Sequence, residues 1–137
     1  QDNTIDSNDE PMRWLARADL YFFQNRLSDA TRVLDSIEKI YPKHDLTDDV
    51  MYKRAEIALK QKDYNQAITY FDIVFKEHGS DILGDNALYY IADIYESKLN
   101  NKEEARKKYE LFIEKYPASF FLNEVRKRFR SLRGDVN

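Results

Sequence analysis

Apolar positions recur every three or four residues from about Pro11 to Leu132, interrupted only at short polar, proline or glycine points. That is helical spacing. It predicts seven helices, at 11–24, 27–41, 48–61, 64–77, 84–98, 102–116 and 119–132. The breaks fall at Asn25, Pro42, Lys62-Asp63, His78-Gly79, Asn100-Asn101 and Pro117. Asp63 with Gln66, and Asn101 with Glu104, have capping-box spacing, and both stand where the second helix of a pair begins. Thr47 is the expected N-cap of the third helix, with Asp48 and Asp49 at its positive end. The opening QDNTIDSNDE, residues 1–10, is polar, acidic and without periodicity, and reads as a disordered lead or linker. Residues 134–137 form a short tail.

The stretch ALYYIADIYE, Ala87 to Glu96, carries large residues nearly all round and then sets its smallest residue beside a charge. The explanation is a repeat. Ala18, Ala55 and Ala92 are spaced by 37 and 37 residues; Ala30, Ala67 and Ala105 by 37 and 38; Pro42, Gly79 and Pro117 by 37 and 38. An acid follows the first alanine each time, as Asp19, Glu56 and Asp93. Two helices of a hairpin approach most closely at one level, where only a small side chain fits. Ala18 should therefore meet Ala30, Ala55 meet Ala67, and Ala92 meet Ala105.

In the first copy Trp14, Ala18, Tyr21, Ala30, Leu34 and Pro42 fall at the signature spacing of the tetratricopeptide repeat, which the chain resembles over about residues 11–133. The second copy keeps Ala55, Tyr64, Ala67 and Phe71, and the third Ala92, Tyr95, Ala105, Tyr109 and Pro117. Alanine stands where the family usually has its first small glycine. The resemblance implies an all-α, right-handed superhelix of three helix hairpins, at about 11–46, 47–82 and 83–118, closed by a capping helix at 119–133. The period of 37 exceeds the family's usual spacing of about 34, with the excess between hairpins. The linkers YPKHDLTDDVMYKRA and YPASFFLNEVRKRF both open on Tyr-Pro and place a valine nine residues after the tyrosine. In this the chain is similar to repeat proteins of the bacterial cell envelope, of the outer-membrane-assembly lipoprotein and Tol–Pal coordinator type. That similarity implies a cell-envelope or periplasmic location, with the cytoplasm as the alternative.

Composition narrows the chemistry. The 137 residues fit one domain, and 3 Gly with 3 Pro are too few for a sandwich rich in tight turns. With no Cys there are no disulfides, thiolate metal sites or cysteine nucleophile. No apolar run approaches a membrane span, so membrane association would need segments outside this chain. A start at Gln1 reads as a processed or excised chain, which would put any signal peptide or lipid anchor out of view. Only His44 and His78 titrate near neutrality without a large shift, and neither stands in a recognisable catalytic arrangement. HDLTDD, His44 to Asp49, lacks the glycine and spacing of a calcium loop. No enzyme activity, cofactor, metal or small-molecule substrate is expected.

The net charge of -3 is unevenly spread. Residues 1–50 carry 6 basic and 11 acidic side chains, whereas residues 101–137 carry 10 and 6. The last helix sets Phe121, Val125, Phe129 and Leu132 in one apolar stripe, with Arg126, Lys127, Arg128, Arg130 and Arg133 mostly off it. A solvated cap accounts for that pattern, since a terminal repeat needs a polar outer face. Contact with an anionic surface or nucleic acid is a further alternative, although nucleic acid is not the expected partner.

From the resemblance, the first helix of each pair lines a concave groove, formed by Leu15, Asp19, Phe22, Tyr52, Glu56, Leu59, Tyr89, Asp93 and Glu96. Two rungs repeat there: Leu15, Tyr52 and Tyr89, and Asp19, Glu56 and Asp93. Carboxylates and tyrosines favour a protein or peptide partner with basic and apolar residues. Alternatively, the acids pair with lysines such as Lys53 or Lys60 on nearby turns. The expected function is that of a protein-interaction scaffold or adaptor. The alternative is a structural terminal module of a larger array, with no ligand of its own.

Overall fold

A computed structural model describes residues 9–42, 46–78 and 82–134. These form seven helices: α1 (Asp9–Phe23), α2 (Leu27–Ile40), α3 (Thr47–Lys60), α4 (Tyr64–His78), α5 (Ile82–Ser97), α6 (Lys102–Lys115) and α7 (Leu122–Arg133). Each helix packs on the next in the chain, and α3 also touches α1 and α5. The fold is thus an all-α helical repeat of three hairpins, with α7 packed on α6 at the end.

The alanines do what their spacing requires. Ala18, Ala30, Ala55, Ala67, Ala92 and Ala105 are all fully buried, and the members of each hairpin pair share one core cluster. The first cluster joins Ala18, Ala30, Leu34 and Ile37 to Val50 and Ile57 of α3. The second joins Ala55, Ala58, Ala67, Phe71 and Val74 to Ala87, Ile91 and Ile94 of α5. The third joins Leu88, Ala92, Ala105, Tyr109 and Phe112 to Val125 of α7. Helices α3 and α5 each contribute to two clusters. That is why residues 87–96 are apolar on nearly every side. Burying a side chain such as Phe71 or Phe112 contributes roughly 1.5–3 kcal/mol.

The hairpin turns repeat as well. Asn25, Lys62 and Asn100 adopt left-handed backbone, with φ of 62°, 65° and 51°. The first two turns are closed by bonds spanning five residues, Arg26 N–H to Tyr21 C=O at 2.8 Å and Asp63 N–H to Ala58 C=O at 2.9 Å. In the third, Asn101 N–H reaches back six residues to Tyr95 C=O at 2.8 Å. That extra residue is the slip from 37 to 38. Both expected caps form: Gln66 N–H donates to Asp63 Oδ1 at 3.3 Å, and Glu104 N–H to Asn101 Oδ1 at 3.2 Å. In the first hairpin Trp14 meets Tyr41 edge to face, with ring centroids 6.0 Å apart.

Four local expectations need correction. Helix α1 begins at Asp9, not 11, so Asp9 and Glu10 belong to it and not to the disordered lead, and Glu10 accepts from the Tyr41 hydroxyl at 2.6 Å. Thr47 is the first helical residue of α3 rather than its cap, and Leu46 takes the flanking position. Asp48 answers the exposed helix start instead, its Oδ1 accepting from Asp49 N–H at 2.9 Å. Helix α5 starts two residues earlier than the periodicity sets, at Ile82. Helix α7 starts at Leu122, not 119, because Ser119 is used to build a turn. Its Oγ donates to Asp85 at 2.7 Å and accepts from Phe121 N–H at 3.0 Å. Residues 1–8, 43–45, 79–81 and 135–137 lie outside the described residues, and with them His44 and Asp45 of the stretch His44–Asp49.

Ala55→Leu and Ala92→Leu should each overpack a hairpin crossing and cost roughly 1–3 kcal/mol. Denaturant unfolding checks this, and a midpoint equal to wild type for either variant would overturn the repeat register.

Candidate functional site

Helices α1, α3 and α5 are neighbours, and ion pairs and ring contacts link several of the residues expected to line a groove. The structure does not leave their carboxylates bare. Asp19 and Glu56 share the Lys53 ammonium, at 2.5 Å from Asp19 Oδ1 and 2.7 Å from Glu56 Oε1. The Lys53 side chain is only 12% exposed and lies over the Phe22 ring, 4.5 Å from its centroid. Burial alone would lower the Lys53 pKa, but its bonds to Asp19 and Glu56 outweigh burial and raise it. Lys60 covers the same Phe22 ring at 4.7 Å. Leu15 and Phe22 pack on the first core cluster, and Leu59 on the second.

At the other end the cation comes from α7. Arg128 Nη1 donates to Asp93 Oδ1 at 2.7 Å and to the Tyr109 hydroxyl at 3.1 Å, and lies 3.7 Å from Glu96 Oε1. Its Nε donates to Glu124 at 2.8 Å, a bond that holds the Glu124 carboxyl below its usual range. The guanidinium also lies 5.7 Å from the Tyr89 ring centroid. Tyr109 donates its hydroxyl to Glu96 at 2.8 Å, and Ser97 donates to Asp93 at 3.1 Å. Arg128 is therefore withdrawn from the basic surface on which its composition placed it. Arg126, Lys127, Arg130 and Arg133 stay on the exposed side of α7, with Arg133 over the Phe129 ring at 4.9 Å. Phe121, Val125, Phe129 and Leu132 pack inward as one stripe.

The tyrosines of the upper rung belong to a run of six rings. Phe120 meets Phe121 at 5.7 Å, and Phe121 stacks on Tyr89 at 4.4 Å with 6° between planes. Tyr89 meets Tyr90 at 5.7 Å, Tyr90 stacks on Phe71 at 5.5 Å, and Phe71 meets Tyr52 at 5.3 Å. The run begins at Phe120, 95% exposed, and passes through Phe71, fully buried. Sequence reasoning raised Lys53 as a partner of the acids, which the structure bears out, but missed Phe120 as a surface ring and Arg128 as a partner of Asp93. A signal for Arg128 existed: Lys53 and Arg128 each stand twelve residues after the tyrosine of a Tyr-Pro linker, Tyr41 and Tyr116.

Two cavities lie away from this face. One of about 220 Å³ is lined by Thr31, Arg54, Ile57, Gln61, Gln66 and Tyr70 among others; one of about 230 Å³ lies between α2 and α3 beside Ile37, Tyr41 and Val50. Neither reaches the 300 Å³ or so of an ordinary small-molecule site. Among the described residues no group of three or more His, Asp or Glu could hold a metal, and no helix is long and apolar enough to cross a membrane.

The fold and this face define a helical-repeat protein with a built, charge-paired surface on its odd-numbered helices. A tetratricopeptide-repeat model matches residues 49–80 and 86–119, the second and third hairpins, and these matches support a protein of that family. The first hairpin lies outside the matched segments but repeats their alanine pair and left-handed turn. The matched model names the repeat without singling out a cell-envelope branch of it. No curated protein matches the chain.

Burial pushes the Tyr52 and Tyr109 phenols up, away from ionisation, with Glu56 adding to the effect at Tyr52 and Glu96 at Tyr109. The folded chain thus keeps two protons that the unfolded chain gives up near pH 10. Their stabilisation is full below about pH 10 and is lost as pH rises beyond it toward the folded values. Urea unfolding between about pH 9 and about pH 11.5 should show that fall, and Tyr52→Phe with Tyr109→Phe should flatten it.

Proposed function

We propose that the chain is a non-enzymatic interaction scaffold that binds a partner peptide along the face shared by α1, α3 and α5. Tetratricopeptide repeats generally mediate protein–protein interaction. The observation that carries the finer reading is the state of the carboxylate rungs. Asp19, Glu56, Asp93 and Glu96 are each engaged by an ammonium or guanidinium, and all remain partly exposed. A lysine or arginine of a peptide would compete with Lys53 and Arg128 for these carboxylates, whose side chains keep 27–46% exposure. The rings of Tyr52, Tyr89 and Phe121, reaching the exposed Phe120, supply apolar anchorage beside the charges.

Selection of peptides from a random displayed library against the folded chain tests this. Enriched peptides should combine Lys or Arg with an aromatic or aliphatic residue, and their binding should weaken as salt rises. A Glu56→Lys, Asp93→Lys double variant, checked for folding by circular dichroism, should lose affinity by roughly tenfold or more. Peptides held equally by both proteins would move the site to the exposed Arg126, Lys127, Arg130 and Arg133 of α7.

A further inference from the structure

The outward face of α1 has counterparts in the later repeats. Shifted by 37 residues, Arg17 and Leu20 become Arg54 and Ile57; shifted again, they become Ile91 and Ile94. The later positions are covered. Ile57, Ile91 and Ile94 are buried, and the Arg54 side chain is largely enclosed. The cover is always the preceding even-numbered helix. On α2, Leu34 and Ile37 pack in the same cluster as Ile57, while Asp35 and Glu38 hold Arg54 Nη2 at 2.7 and 2.6 Å. On α4, Phe71 and Val74 share a cluster with Ile91 and Ile94.

No described helix precedes α1. Leu20 is 55% exposed, and the neighbouring Met12 and Phe23 are 54% and 75% exposed. Arg17 is exposed too, and no carboxylate among the described residues holds it. Around the helix Met12, Leu20 and Arg17 lie on one arc, apolar at Met12 and Leu20 and basic at Arg17, while Phe23 at its edge already meets the Phe22 ring and lies 5.7 Å from the Lys53 ammonium. At Arg17 and Leu20 the arc repeats the Arg54–Ile57 pair of α3, and no described helix packs over it.

We infer that this arc docks an amphipathic helix of a partner protein, one carrying two carboxylates three residues apart beside aliphatic residues, as Leu34, Asp35, Ile37 and Glu38 do on α2. The Arg54 geometry sets the charge pattern and the Ile57 contact sets the apolar one. A second copy of the chain fits less well. Two α1 faces would bring arginines together, and the α2 face that matches Arg17 is already taken by Arg54 of its own chain. The inference rests on the repeat register and is independent of the groove reading.

The probe is the α2 sequence, Leu27–Ile40, as a fluorescent peptide stapled between its exposed positions Ser28 and Arg32 to keep it helical. Titrated into the intact chain, it should bind saturably, with amide shifts concentrated on α1. Arg17→Glu, an exposed change that leaves the fold alone, should weaken binding by roughly tenfold. A peptide carrying Asp35→Arg and Glu38→Arg should regain affinity for that variant and not for wild type. Absent binding, or binding indifferent to Arg17→Glu, would overturn the inference. So would binding lost in Arg54→Glu instead, because the peptide would then be exchanging with the chain's own α2. A concentration-dependent dimer in sedimentation, dispersed by Leu20→Asp, would also overturn it by giving the arc to a second copy.

Discussion

Everything in this chain depends on two helices coming close enough for backbone to meet backbone at one level of each hairpin. Only a small side chain allows that, and alanine supplies it at Ala18, Ala30, Ala55, Ala67, Ala92 and Ala105, all of them fully buried. Close approach at that level fixes which neighbours interlock, and hence where Leu34, Phe71 and Tyr109 fill the space around it. It also turns α3 and α5 into helices with two buried sides. Once both sides are committed to packing, one side of each is left partly exposed.

The charges on that side follow a second rule. Carboxylates set one residue after each first alanine would repel one another along the array, and the chain answers with a cation at each end. Lys53 arrives from the next odd helix, whereas Arg128 arrives from the terminal helix. Both sit among carboxylates and against an aromatic ring, so they join the electrostatic and apolar parts of the face. Helix α7 is therefore more than a solvated lid. It seals the third core through Val125 and completes the charge pattern through Arg128.

Much of this was legible in the sequence because a packing constraint that must recur leaves a period. The alanine pairs, the hairpin turns at Asn25, Lys62 and Asn100, and the caps at Asp63 and Asn101 are all short-range demands on particular residue types. Arg128 was not legible as the partner of Asp93, since composition assigned it to a basic run and Asp93 lies 35 residues away. The late start of α7 was hidden for a related reason: Ser119 bonds to Asp85 across the array, and helical periodicity carries no trace of such a bond. Thr47 had the chemistry of a cap, but α3 begins one residue early and passes that task to Asp48.

The contact between Trp14 and Tyr41 carries a consequence for how this molecule reports on itself. Trp14 is the single tryptophan, and both rings of this contact belong to the first hairpin. In quasi-one-dimensional repeat proteins single repeats open with their own local stability. Tryptophan emission is then a local gauge of the leading hairpin, while far-ultraviolet ellipticity averages over all seven helices. A mismatch between the two signals on heating would measure how weakly the first repeat is coupled to the rest.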